Sequence, residues 1–132
     1  MHMPSLLLLT LATYASTASA SITWTLDKAS NPSPDQTDAY ARISLAMQRA
    51  TVRYAQYSSL SKSIRVAYAP GVPTAEANYN GDLRFGSDRA YMSERTAMHE
   101  ISHTLGNYDN EWSETNANRH VQMVQAMVRD GM

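Results

Sequence analysis

The fold of this chain is decided by one stretch, Ala97-Met98-His99-Glu100-Ile101-Ser102-His103-Thr104-Leu105-Gly106. Residues four apart on an α-helix project from the same face, so His99 and His103 can hold one metal ion together. Glu100 lies one position further round the helix, where it can act on water rather than bind the metal. The stretch therefore predicts a helix that carries a metal site and ends at Gly106.

The helix around this stretch has its own start signal and core face. Ser93 is expected to cap its N-terminus, with Glu94 in the first turn, where negative charge is favoured. Apolar residues recur at three- and four-residue spacing on one face: Met98, Ile101 and Leu105. Both histidines would then lie on a neighbouring face, at the edge of the core.

Two strands and a long helix are predicted upstream. Apolar and polar residues alternate over Ile22–Leu26 and again over residues 64–68, as they do in half-buried strands. Between them, Ser33, Pro34 and Gln36 form the start of a capped helix. Its apolar stripe comprises Ala39, Ile43, Met47, Ala50, Tyr54 and Tyr57.

A third strand and a last helix complete the predicted domain. Residues 72–81 are expected to form a loop, and residues 83–86 a short strand at a sheet edge, where a peptide could add as a further strand. A final helix is predicted from the stripe Ala117, Val121, Val124 and Val128. We expect an α+β fold with a small mixed sheet packed against two or three helices.

The N-terminal segment predicts export from the cell. Residues 6–11 are a nearly unbroken apolar run, far shorter than the roughly 20 residues of a membrane-spanning helix. The small residues Ala18-Ser19-Ala20 follow, in the pattern that signal peptidase prefers. We expect residues 1–20 to be a cleaved signal peptide and residues 21–132 to be one secreted, extracellular domain.

Charge and cysteine content limit the partners and the sources of stability. The 132 residues carry a net charge of −1, which argues against nucleic acid or a membrane surface as the main partner. The chain has no cysteine, so a small secreted domain must depend on its core and on a bound metal. We expect a monomer.

The helix pattern extends past its glycine to H-E-x-x-H-x-x-G-x-x-D, formed by His99, Glu100, His103, Gly106 and Asp109. H-E-x-x-H on a helix is typical of zinc metalloproteases. The extended pattern resembles the metzincin clan of zinc peptidases, and its final Asp resembles the snapalysin-type members. The resemblance implies a zincin-like fold and Zn²⁺ held by His99, His103 and Asp109. Carboxylate oxygen is an accepted zinc ligand.

Several shorter runs are similar to a group of small secreted fungal and bacterial metallopeptidase-like proteins, some of which are fused to ricin-type lectin domains. These runs are Trp24-Thr25-Leu26, Ser30-Asn31-Pro32, Pro70-Gly71-Val72-Pro73 and Arg84-Phe85-Gly86. In that group a further segment separates the metal helix from the tail, whereas here Gly106 is joined directly to Asn107. The resemblance implies that a segment with the group's own third ligand is missing.

The third ligand and the tail therefore stay open. Asp109, His120 or no residue completes the zinc site. Metzincins have a methionine-containing turn beneath the metal, but Met123 and Met127 fall in a stretch with helical periodicity and are expected to pack in a core. Candidate donors to an oxyanion are Tyr79, Tyr91 and Tyr108.

The motif predicts a secreted zinc endopeptidase that hydrolyses peptide bonds in peptide or protein substrates. Glu100 would be the general base towards a zinc-activated water. The alternative is a truncated or degenerate, non-catalytic zincin-like module associated with carbohydrate-binding partners. Without a metal, the two histidines would be ordinary helix-surface residues and Glu100 a solvated carboxylate.

Overall fold

The computed structural model describes residues 21–106 and residue 129. Along the chain the elements are β1 (Ile22–Leu26), α1 (Pro34–Tyr57), β2 (Lys62–Tyr68), β3 (Ala75–Ala77), β4 (Asp82–Phe85), a 3-10 helix (Arg89–Tyr91) and α2 (Glu94–Thr104). The predicted signal peptide, Asp109, His120 and the predicted last helix lie outside the described residues. No helix within the described part is long and apolar enough to cross a membrane.

The four strands form one mixed sheet in the order β1-β2-β4-β3. β1 pairs with β2 and β2 with β4 in parallel, while β3 is antiparallel to β4. The predicted α+β class with a small mixed sheet is confirmed. Two α-helices accompany it in the described residues.

Both helices pack against one face of the sheet. The alternate residues that point to this face are buried or half-buried, and those on the other face, such as Arg65 and Arg84, are exposed. The buried core joins strand residues to helix residues and includes Ile22, Ile43, Met47, Tyr54, Ile64, Val66, Leu83, Phe85, Met98 and Ile101. The two helices meet over this core, and α2 is therefore placed by the sheet and by α1 together.

α1 begins and ends where the sequence predicts. The Ser33 hydroxyl accepts a hydrogen bond from the Gln36 amide at 3.2 Å, and the Ser33 amide donates to the Gln36 side chain at 2.9 Å. The predicted stripe is buried from Ala39 to Tyr54. Tyr57 was wrongly included, since it is 36% exposed. It is the last residue of α1, beyond the turns that contact the core.

The strand predicted at residues 83–86 is present as β4, but its predicted place at a sheet edge was wrong. β4 lies inside the sheet, between β2 and β3, and both Leu83 and Phe85 are fully buried. The edge strand next to β4 is β3, which lies within the region predicted as loop. Alanine and glutamate are depleted in strands, so the composition of this three-residue segment does not predict a strand.

Candidate metal centre

α2 has the predicted boundaries. The Ser93 hydroxyl accepts a hydrogen bond from the Thr96 amide at 3.2 Å, and Glu94 occupies the first turn. After the last turn, Gly106 adopts φ +92°, a conformation that residues with a Cβ rarely adopt. His99, Glu100 and His103 therefore lie on a regular helix with defined ends.

The helix is held from beneath by α1. Met98 and Ile101 are buried in the core. The Tyr54 hydroxyl donates a hydrogen bond of 2.9 Å to the Met98 carbonyl oxygen. Near the helix N-terminus, the Arg53 guanidinium lies 2.7 Å from the Glu94 carboxylate, and both side chains are mostly buried. These contacts fix the face of α2 that points away from the core.

The two imidazoles turn the same nitrogen towards each other. Their Nε2 atoms are 3.0 Å apart, and the rings of His99 and His103 meet edge to face with centroids 4.7 Å apart. Two zinc–nitrogen bonds of about 2.05 Å at a tetrahedral angle would place the nitrogen atoms about 3.3 Å apart. The observed spacing is close to what two ligands of one ion require.

His103 is the more enclosed of the two histidines. His99 is exposed, whereas His103 is half-buried. Burial lowers the pKa of His103 below its ordinary value, and the nearby His99 lowers it further. Because only a neutral imidazole binds a metal ion, this shift favours the binding form of His103.

Glu100 is buried beside the histidines. Only 6% of the residue is exposed. No described residue makes a hydrogen bond or ion pair with its carboxylate, and because no fully buried side-chain oxygen of the described residues lacks a partner, its oxygens reach solvent at the cleft. Burial raises the pKa of Glu100, His99 opposes this shift, and Glu76 adds to it. A carboxyl group that holds its proton more strongly than usual is suited to proton transfer.

His99, Glu100 and His103 together form a group that could hold a metal ion. One ligand atom from each lies within 4.8 Å of the others. Within residues 21–106, no other group of three or more His, Cys, Asp or Glu side chains brings its ligand atoms together in this way. The cluster has the nitrogen and oxygen donors that zinc accepts.

A cleft of about 440 Å³ opens beside the cluster. Its lining includes His99 and Glu100 from α2, Tyr91 from the 3-10 helix and Thr74 from the start of β3. Of the predicted oxyanion donors, Tyr91 is thus in the cleft. The Tyr79 ring instead lies against the other end of α2, 3.3 Å from where a Cβ on Gly106 would be. Tyr108 is outside the described residues.

Comparison with known proteins gives no relative. No protein-family model matches the chain, and no match was found among curated proteins or solved structures. The resemblance to metzincins therefore stays a prediction from the motif.

The cleft contains a charged residue that the sequence pattern did not single out. Arg95 lines it and is exposed. Its spacing contains the signal, because Arg95, His99 and His103 are four residues apart and share one helix face. The four-residue spacing that places the two histidines on one face also places Arg95 on it, one turn nearer the N-terminus of α2.

Proposed function

We propose that this protein is a secreted zinc-dependent endopeptidase of the zincin type. One observation carries the proposal. The Nε2 atoms of His99 and His103 are 3.0 Å apart, and the buried Glu100 lines a cleft together with His99. A metal-binding pair next to a carboxyl group of raised pKa is the combination that metal-assisted hydrolysis needs.

Zinc is the metal we propose for this pair. His99 and His103 would be two ligands, and Asp109 the third, in agreement with the three protein ligands of catalytic zinc sites. When bound, Zn²⁺ would polarise the scissile carbonyl and lower the pKa of water from about 15.7 towards about 7. The lowered pKa of His103 supports metal binding near neutral pH.

Glu100 is proposed as the general base. Its carboxylate would take a proton from the attacking water and later deliver it to the leaving amine. Burial supports both steps, because the raised pKa makes the Glu100 carboxylate a better proton acceptor than an exposed one. No described residue competes for the carboxylate through a hydrogen bond.

The edge strand β3 is proposed to hold the substrate. β3 runs alongside α2, since Thr74 lines the cleft with His99 and Tyr79 lies against Gly106. One side of β3 pairs with β4, and no described strand pairs with the other. An extended peptide could add there through main-chain hydrogen bonds. The sequence analysis assigned this role to residues 83–86, but β4 lies inside the sheet, and we therefore propose β3 instead.

The remaining features rest on sequence. Residues 1–20 support secretion, and the net charge of −1 supports a peptide or protein substrate over nucleic acid. A monomer that is free of the membrane after signal cleavage is part of the same proposal. N-terminal sequencing of the exported protein tests the cleavage, which should leave Ser21 first.

The substitution Glu100→Gln tests the function. The variant should bind zinc as tightly as the wild type and hydrolyse casein about 10²- to 10⁴-fold more slowly. Asp27→Asn is the control, since Asp27 is exposed and lies outside the cleft, and this variant should leave hydrolysis within a few-fold of wild type. Undiminished hydrolysis in Glu100→Gln would refute the role of Glu100 as general base. Loss of zinc would instead make Glu100 a ligand.

A further inference from the structure

Arg95 extends the row of metal-site side chains towards the N-terminus of α2. It is one helical turn, about 6 Å, from His99 along the helix axis. Its side chain is exposed at the cleft and has no hydrogen-bond or ion-pair partner within residues 21–106. Five other arginines of the described residues each bind a carboxylate of the chain itself, namely Arg42, Arg53, Arg65, Arg84 and Arg89, while Arg49 is exposed on α1 away from the cleft.

The surroundings of Arg95 suit a substrate side chain that has a short apolar stem. Tyr91 contributes an aromatic ring that is 42% exposed, and Thr74 and Ala90 contribute small side chains. The neighbouring Glu94 is engaged with Arg53 at 2.7 Å. A guanidinium group presents its donors in a planar fork that matches a carboxylate. The cleft therefore offers an apolar wall and a cation for one acidic side chain.

The direction of β3 determines whether the cleft would hold the substrate residues before or after the cleaved bond. Antiparallel pairing is the more stable mode of strand addition. A substrate antiparallel to β3 would run from the Tyr79 end towards the Thr74 end. The part of the substrate that follows the cleaved bond would then lie nearest Thr74 and Arg95.

We infer that Arg95 selects Asp or Glu in the substrate residue that follows the cleaved bond. This inference rests on the proposed peptidase function and adds a substrate class to it. Arg95 is a specificity-determining residue and takes no part in bond cleavage. Peptides with neutral residues at this position should still be cleaved, but less efficiently.

Cleavage-site profiling tests the inference. The zinc-loaded full chain is incubated with a mixture of peptides, and the products are identified by mass spectrometry. Asp and Glu should be enriched about tenfold after the cleaved bond. Arg95→Glu should abolish this enrichment and favour Lys and Arg, while still cleaving neutral sites. Arg49→Glu is the control, because Arg49 is exposed on α1 away from the cleft, and its profile should match the wild type.

A binding experiment separates failure of the inference from failure of the function. Labelled alanine–glycine peptides with a central Asp, Asn or Lys are titrated into zinc-loaded Glu100→Gln protein, and fluorescence anisotropy is measured. The Asp peptide should bind about tenfold more tightly than the Lys peptide, and Arg95→Glu should reverse the order. Equal affinities, or cleavage with no acidic preference, would overturn the inference. Charge-selective binding without any hydrolysis by the wild type would refute the peptidase and the assignment to the residue after the cleaved bond, and would leave Arg95 as a binding residue for acidic side chains.

Discussion

The hydroxyl group of Tyr54 on α1 donates a hydrogen bond of 2.9 Å to the main-chain carbonyl oxygen of Met98 on α2. Met98 immediately precedes His99, so this bond holds the backbone from which the metal site projects. Burial raises the pKa of the Tyr54 hydroxyl well above its ordinary value, and the group remains a donor at any pH the fold tolerates. α1 thus positions the site without lining the cleft.

Removing this hydroxyl should loosen α2. We expect Tyr54→Phe to lower the free energy of unfolding by about 1–2 kcal/mol, because a buried hydrogen bond is lost, and to weaken zinc binding several-fold. Urea denaturation and a zinc titration measure the two effects. Val52→Ala, at a position of α1 that is 55% exposed, should change stability by less than about 0.5 kcal/mol. Wild-type zinc affinity in Tyr54→Phe would contradict the positioning role.

The buried Glu100 should make the zinc-free fold sensitive to pH. Burial raises its folded-state pKa above the ordinary 4.5, so the contribution of Glu100 to stability is fully present below pH 4.5 and is lost as the pH rises through the folded-state pKa. Glu100→Gln stays neutral and escapes this loss. With zinc removed by chelation, its melting temperature should exceed that of the wild type by at least about 2 °C at pH 7.5, and by little at pH 4. Differential scanning fluorimetry would contradict this if the difference were the same at both pH values.

The third ligand can be identified by paired substitutions. Asp109 is proposed because of its spacing from Gly106, and it lies outside the described residues. Asp109→Ala should weaken zinc binding at least about tenfold, whereas His120→Ala should leave it unchanged. Equilibrium dialysis against zinc buffers measures both affinities. The reverse result would assign the site to His120, and no change in either variant would leave two helix histidines as the protein ligands.

Local signals in the sequence predicted most of the helical structure. The capping box at Ser33, the cap at Ser93 and the stop at Gly106 each depend on residues within one turn, and all three are confirmed. The mixed sheet also agrees with prediction. These features depend on short-range chemistry that a single sequence records.

The features that were not predicted depend on long-range packing. β3 is a strand because it pairs with β4, and its alanine and glutamate residues carry no strand signal of their own. The cleft beside Glu100 likewise includes Thr74, which is distant from it in sequence. The helix pattern predicted the cluster of His99, Glu100 and His103, but not the cleft beside it.

The central claim is that His99 and His103 hold a zinc ion, and a calorimetric zinc titration of the metal-free full chain tests it most directly. We predict one zinc ion per chain in the wild type. His99→Ala and His103→Ala should each weaken binding at least about 100-fold, since each removes one ligand. Arg49→Ala, far from the cluster, should match the wild type. A wild-type chain that binds no zinc, or binding that survives both histidine substitutions unchanged, would contradict the account.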